Sequence, residues 1–400
     1  MAPKKYFPIV ADASRDYYCA AKFTFLKIDL EAFTTYNCHA SAPHPINFEW
    51  LRNNPGQLFN TDINVSERNQ MLVNQRNASC EQNCWHAEDI GAISPRIYQH
   101  GVTKTHTEVL STPEILDLTI NTNCNLTCSY CSKEYSSSWR NDILTNGNYA
   151  ITNSDHRYNL NSRDKILNKL SYNNVHTSKP IQQLNNEIKI WSDSLKHLII
   201  TGGEPFLDNN LIEIVESAKV IPKIEIYTGL GVSGPRFTRL LEKLSVFTNI
   251  TLIISAEGIR QFLEFNRYGT KWNEFEQKIN QIKNSGISFK FQSTITNLTL
   301  FGFAEFYKYF NQYQIDLAFA YQPRMMAPNV LDTTSKQNIL SELQSIINPA
   351  DYELIRQSME APPDITQQLN IKEFLIEFTN RRADIDMSIF PKHFINWINE

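Results

Sequence analysis

Between residues 114 and 322 the chain carries six short apolar, β-branched runs, with helical spacing between each run and the next. The runs are ILDLTI (115–120), LKHLIIT (195–201), KIEIYT (223–228), NITLIIS (249–255), ISFKFQSTI (287–295) and QIDLAFAYQ (314–322). Helical periodicity falls at about 163–170, 180–193, 209–220, 235–247, 272–286 and 302–313, the fifth ending in a glycine stop at Gly286. Strands that are apolar along their whole length are buried on both faces, and they alternate with helices when the sheet is parallel. Six such units, rather than eight, predict an α/β fold: a partial (β/α)6 TIM-like barrel, open on one side. Ligands of such folds gather at the carboxyl ends of the strands.

The flanks read differently. Residues 1–108 look irregular, with the short run FTFLKIDLEAF (23–33), a loop-like NNPGQLFNTDIN (53–64) and a possible short helix over 66–76. An extended or ligand-stapled module suits that segment better than a simple apolar core. After residue 330 the spacing is helical throughout, in QNILSELQSII, YELIRQSM, IKEFLIEFTNRR and HFINWINE. The expected organisation is a cysteine-rich module over 1–108, a barrel over 109–330 and a helical carboxyl-terminal cap over 331–400.

Composition narrows the class. With 400 residues the chain is long enough to bury a large core without disulfides. A charged fraction of 20% and a net charge of -4 give no general affinity for polyanions, and the basic residues are dispersed, so nucleic acid is disfavoured as a partner. No apolar stretch is long enough to span a membrane, and the start carries no apolar secretory core, so the expected location is a reducing cytoplasm.

The seven cysteines are Cys19, Cys38, Cys80, Cys84, Cys124, Cys128 and Cys131, and none follows in the rest of the chain. An odd, tightly grouped set points to metal or redox use rather than a disulfide framework. Cys124, Cys128 and Cys131 lie in the loop after the first strand run, spaced CxxxCxxC. Thiolates at this spacing can wrap one metal or one cluster. Three of them on a four-iron cluster leave one iron open to an outside ligand. A structural zinc would normally want four protein ligands, which a borrowed fourth cysteine could complete.

This loop resembles the signature of the radical S-adenosylmethionine (SAM) superfamily, including an aromatic residue, Tyr130, before the last cysteine. The second strand run ends in Thr201-Gly202-Gly203-Glu204-Pro205, similar to the superfamily's GGEP motif. The resemblance implies a [4Fe–4S] cluster on Cys124, Cys128 and Cys131 and a SAM site around Gly202, Gly203, Glu204 and Pro205, with Glu204 facing the methionine ammonium. It extends to Ser255 in ISAEG as a ribose or carboxylate contact and to Arg267 in EFNRYG as a partner of the methionine carboxylate. Thr228 and Asn297 resemble polar positions lining that site, and Tyr321 and Gln322 would flank the adenine. The third strand run ends in YTGLG rather than the frequent TNG, a departure that bears on Thr228.

Cys80 and Cys84, with Cys38 and Cys19, could form a four-thiolate site holding a second cluster or a structural zinc. His39, His44 and His86 lie nearby as substitutes or outer neighbours. The segment resembles the auxiliary-cluster modules of SPASM and twitch-type members, placed before the barrel as in phage-carried relatives. The implied activity is reductive cleavage of SAM to a 5′-deoxyadenosyl radical, fed by a donor such as flavodoxin or ferredoxin. That radical would abstract hydrogen from a peptide or protein, or from a small metabolite such as a sugar or nucleotide derivative. An activase or a non-catalytic cluster-bearing binder are the remaining readings. Arg381, Arg382 and Asp386 either touch substrate from the carboxyl-terminal segment or sit on a helix packed against the sheet edge.

Overall fold

The computed structural model of the chain describes residues 17–39, 41–89, 94, 96, 108–151, 156–160, 178–320, 322–362 and 365–400. Two compact units emerge, each assembled from several chain segments: Met1–Asn121, His176–Thr201 and Asn210–Glu225 make the first, and Thr122–Val175, Gly202–Asn209 and Ile226–Glu400 the second. The expected helix at 163–170 lies outside the described residues.

The first unit holds β1 (Phe25–Asp29), β2 (Thr34–Tyr36), β3 (His44–Pro45), β4 (Ile115–Thr119) and β5 (His197–Thr201), ordered β5-β4-β1-β2-β3. β4 lies between β5 and β1 and is parallel to both, with Leu116 opposite Leu26 on one side and Leu198 on the other. Leu26, Ile28, Leu116, Leu118, Leu198 and Ile200 are fully buried and alternate along their strands with Lys27, Asp117 and Ile199. The amino-terminal segment, expected to be irregular, therefore supplies three strands. β2 and β3 are too short, at three and two residues, to show a period of two in the sequence. The helix Ser178–Trp191 anchors a loop in the same unit. The buried Glu187 accepts the backbone N–H groups of Gly56 (2.6 Å) and Leu58 (3.3 Å), and Trp191 Nε1 donates to the Gly56 carbonyl at 3.0 Å.

β6 (Ile224–Thr228) runs through the boundary, with its last three residues in the second unit. There follow β7 (Ile250–Ser255), β8 (Ser288–Ile295) and β9 (Ile315–Phe319), in the order β9-β8-β7-β6. β8 is parallel to β7 and β9, and Phe291 sits opposite Ile254 and Ile315 at full burial. The helices Pro235–Leu244, Trp272–Ser285 and Leu300–Tyr309 alternate with these strands as expected, and Gly286 ends the second in the left-handed conformation (φ 76°). The fold is thus mixed α/β with parallel strands, of the partial (β/α)6 barrel class. Helices Thr333–Leu343, Pro349–Glu360, Ile365–Asn380 and Lys392–Asn399 complete the second unit; Asp332 and Asn348 cap the first two through their side-chain oxygens. No helix among the described residues is long and apolar enough to cross a membrane.

Candidate active site

The three cysteines of the CxxxCxxC loop all belong to the second unit. Cys124 and Cys128 are buried and Cys131 is half-buried, packed with Leu126 and Tyr130 into one apolar cluster. The loop backbone is held at almost every turn. Ser137 and Ser138 donate to the Cys124 carbonyl at 3.0 and 2.8 Å, Ser136 to that of Leu126 at 2.7 Å, and Trp139 Nε1 to that of Cys128 at 2.9 Å. These donors sit at the start of the helix Ser137–Asn146, whose N-cap is Ser136. A two-residue antiparallel ribbon pairs Thr127 with Tyr268 and Cys128 with Arg267, a feature too short to read from periodicity.

The thiols resist ionisation as they stand. Burial pushes Cys131 up to about 12, with Cys128 adding to the effect. Burial and the charges of Cys128 and Glu204 hold Cys124 well above the usual thiol range, and burial raises Cys128 although Arg267 opposes it. Three buried thiolates therefore need a strongly positive partner, and a metal centre provides one. Among the described residues no three His, Cys, Asp or Glu side chains are gathered closely enough for a single metal ion. A four-iron cluster is held by cysteine thiolates, and the chemistry of these three thiols fits it.

The GGEP loop packs directly on the start of the cysteine loop. Gly202 has φ 147°, and a Cβ on Gly203 would fall 2.6 Å from the Asn123 carbonyl oxygen. The Glu204 N–H donates to that same oxygen at 2.8 Å. Pro205 opens a short 3-10 turn, Pro205–Leu207, for which Glu204 is the N-cap. The Glu204 carboxylate is almost fully buried and receives four donors. Oε1 accepts from Phe206 N (3.0 Å) and Thr228 Oγ1 (2.7 Å), and Oε2 from Gly229 N (2.9 Å) and Gly231 N (3.0 Å). A carboxylate offers about four acceptor positions, and here the protein fills them. Asn125 Nδ2 donates to the Gly231 carbonyl at 2.8 Å, so the departing YTGLG segment is tied to both motifs.

Arg267 enters from the ribbon. Its Nη1 lies 3.3 Å from Glu257 Oε1 and also hydrogen-bonds the Tyr130 hydroxyl, which itself donates to Glu257 Oε1 at 2.7 Å. All three side chains are buried or nearly so, and Glu257 Oε2 and Arg267 Nε have no hydrogen-bond partner among the described residues. Burial raises the Glu257 carboxyl, while Arg267 and Tyr130 oppose that rise. A Cβ on Gly229 would lie 2.4 Å from Arg267 Nη2, so glycine there leaves room for the guanidinium. Sequence reading singled out Arg267 and Tyr130 but not Glu257, although Glu257 stands two residues after Ser255 in the same ISAEG string.

The remaining candidates spread along the strand ends. Ser255 is half-buried at the last position of β7, in register with Gln292. Asn297 follows β8 and is buried; its Nδ2 donates to the Met325 carbonyl at 2.8 Å and its Oδ1 has no partner. Gln322 is exposed, and Tyr321 lies outside the described residues.

Residues 118–307 match the model of the radical SAM superfamily. The chain carries a radical SAM domain. The CxxxCxxC loop, the GGEP loop and the Tyr130–Glu257–Arg267 group all fall inside these matched residues. No curated protein sequence matches the chain. Among solved structures, native anSMEcpe with bound AdoMet is 15% identical, with a TM-score of 0.37, covering 58% of this chain and 59% of its own. Streptococcus suis SuiB bound to S-adenosylmethionine is 16% identical, with a TM-score of 0.37, covering 76% of this chain and 63% of its own. The same protein bound to precursor peptide SuiA is 13% identical, with a TM-score of 0.37 and coverages of 82% and 70%. The chain thus spans about three fifths of the length of the first two.

In the first unit, Cys19, Cys38, Cys80 and Cys84 are all buried. Cys19, Cys80 and Cys84 pack with Phe23, Met71 and Trp85 in one core cluster. Burial pushes Cys19 up to about 12, and the neighbouring Cys38, Cys80 and Cys84 each add to it. The histidines are engaged elsewhere or exposed. His39 Nδ1 is 3.2 Å from Asp117 Oδ2, His44 Nε2 is 3.0 Å from Glu67 Oε1, and His86 faces solvent.

Proposed function

We propose that this enzyme cleaves SAM reductively at a [4Fe–4S] cluster on Cys124, Cys128 and Cys131 and uses the resulting radical to abstract hydrogen from a peptide or protein substrate. The observation behind this reading is the packing of the GGEP backbone against the cysteine loop at Gly203 and Asn123, which joins the two motifs into one site. A cluster with three protein thiolates supplies an open iron, and with SAM bound there it supplies a one-electron cleavage of the S–C5′ bond and a 5′-deoxyadenosyl radical. The protein's own residues place and shield these groups. Glu204 serves the SAM site by fixing the 228–231 turn, with Thr228 as its partner, rather than by offering a free oxygen. Arg267, with an unpaired Nε beside buried Glu257 and Tyr130, faces the methionine carboxylate. Ser255 contacts the ribose or the carboxylate, Asn297 lines the same site, and Gln322 flanks the adenine.

We further read the four buried cysteines Cys19, Cys38, Cys80 and Cys84 as the ligands of an auxiliary cluster of SPASM or twitch type, as in phage-carried relatives. Four protein thiolates saturate a cluster and suit it to electron transfer. This module favours a peptide over a small metabolite, because it resembles the peptide-modifying members. A small flavoprotein or ferredoxin would deliver the electron.

Iron and sulfide counts on anaerobically reconstituted protein separate the two clusters. Near eight irons per chain are expected, and four would overturn the auxiliary cluster. Turnover with deuterated peptides and deuterated metabolites then reads the substrate. Label entering 5′-deoxyadenosine from peptides supports the assignment, and label from metabolites alone replaces it. Absence of 5′-deoxyadenosine with the reduced protein would sink the activity.

A further inference from the structure

Three consecutive residues of the cysteine loop are gripped by three different segments of the second unit. Arg382 Nη2 donates to Thr127 Oγ1 at 3.2 Å, Trp139 Nε1 to the Cys128 carbonyl at 2.9 Å, and the Tyr158 hydroxyl to the Ser129 carbonyl at 3.1 Å. All six residues are buried, and Trp139 and Tyr158 completely so. The grips share one aromatic block. The Trp139 and Tyr158 ring centroids are 5.1 Å apart, and Phe374 of the helix Ile365–Asn380 packs 5.2 Å from Tyr158. The Arg382 guanidinium carbon lies 3.8 Å from the Phe378 ring centroid, 5.0 Å from that of Tyr268 and 5.2 Å from that of Trp139. Its Nη1 also donates to Tyr149 OH at 3.1 Å and caps the Phe378 carbonyl at 3.0 Å.

A thiolate ligand is only as well placed as its loop, and outer contacts orient metal ligands. Thr127 immediately precedes Cys128, and Tyr268 pairs with Thr127 across the ribbon. The guanidinium therefore stands against both strands of the ribbon that presents Cys128. Arg381 provides a natural contrast. It stacks 3.8 Å from the Tyr149 ring and bonds Asp142 at 3.1 Å, but it has no hydrogen bond or ion pair to any residue from 124 to 131.

We propose that Arg382 is a positioning residue through which the segment just after the helix Ile365–Asn380 sets the geometry of the CxxxCxxC loop, and so of SAM at the open iron. The proposal rests on the cluster assignment above. It also turns the carboxyl-terminal segment, for which substrate contact was one expectation, into part of the cofactor site.

The test uses the full chain, reconstituted anaerobically, as parent, Arg382→Met, Thr127→Val and Arg381→Met. Iron content is measured, together with the electron paramagnetic resonance signal of the reduced protein during a SAM titration. The SAM-dependent change reports the open-iron cluster alone. Arg382→Met and Thr127→Val should keep their iron but need about tenfold more SAM for half of the spectral change. Arg381→Met should titrate like the parent. Thr127→Val removes one hydroxyl without emptying the aromatic block, so it decides the matter if Arg382→Met does not fold. Parent-like titration of Thr127→Val, or an equal defect in Arg381→Met, would overturn the proposal. A parent protein with no SAM-dependent change would instead bring down the cluster assignment, and the positioning role with it.

Discussion

Gly203 and Asn123 touch backbone to backbone, so closely that the glycine's missing side chain is what allows the contact: a Cβ would stand 2.6 Å from the Asn123 oxygen and 2.8 Å from its carbonyl carbon. Neither partner is a flexible side-chain tip that could swing away. The two cofactor motifs, about 75 residues apart in sequence by their numbering, are thereby a single packed object.

From this contact we predict that Gly203→Ala displaces the cysteine loop. Overpacking against fixed backbone typically costs about 1–3 kcal/mol. The variant should unfold earlier in urea and hold less iron after reconstitution. An unchanged midpoint with full iron would show that the loops separate freely.

Glu204→Gln tests the four-donor carboxylate. An amide nitrogen in place of either oxygen confronts two donors, the Phe206 N–H and Thr228 hydroxyl or the Gly229 and Gly231 N–H groups. Leaving buried donors unsatisfied costs ~1–3 kcal/mol. We expect a lower denaturation midpoint together with weaker SAM binding by equilibrium dialysis. Weaker binding with parent stability would instead favour a direct contact between the carboxylate and the methionine ammonium.

Arg267→Met should be among the most damaging substitutions in the second unit. It strands the buried Glu257 carboxylate, whose ionised form burial already disfavours. Removing one member of a buried pair commonly costs about 3–5 kcal/mol. Adding Glu257→Gln should restore part of the loss, measured as a double-mutant cycle in urea. A single variant as stable as the parent would contradict the pairing.

The first unit carries its own acid sensitivity. Burial alone would push Glu67 up, yet His44 and Lys22 hold it at about 2, against an ordinary 4.5. Lys22 Nζ is fully buried 2.5 Å from Glu67 Oε2 and 2.6 Å from Ser79 Oγ. Because the folded value lies below the unfolded one, this contribution is complete above pH 4.5 and is lost as pH falls towards 2. Denaturation midpoints between pH 5 and 3 should fall in the parent. Glu67→Gln, which leaves Lys22 without its carboxylate, should be weaker at pH 7 and lose less across that interval. Parallel pH profiles would remove Glu67 as the cause.

The six strand runs and most of the helices between them were legible because burial on both faces of a parallel strand leaves an apolar run, and a glycine stop marks a helix end. The cysteine and GGEP strings were legible because ligand spacing is local. Glu257 escaped although its string was read: a carboxylate among loop residues gives no sign of being buried until Arg267 and Tyr130 are seen around it. Trp139 and Tyr158 gave no signal, and Arg382 was read only as a substrate contact or a packed surface residue, since each acts on a residue between 11 and 255 positions away.

By itself the sequence determined which elements form and which side chains could hold a cluster, since hydrophobic period and ligand spacing are set within a few residues. Only the tertiary structure decided what Glu204 bonds, what faces Arg267 and what grips Thr127, Cys128 and Ser129. Those pairings depend on long-range packing, and a buried polar group takes whatever partner the fold brings within about 3 Å.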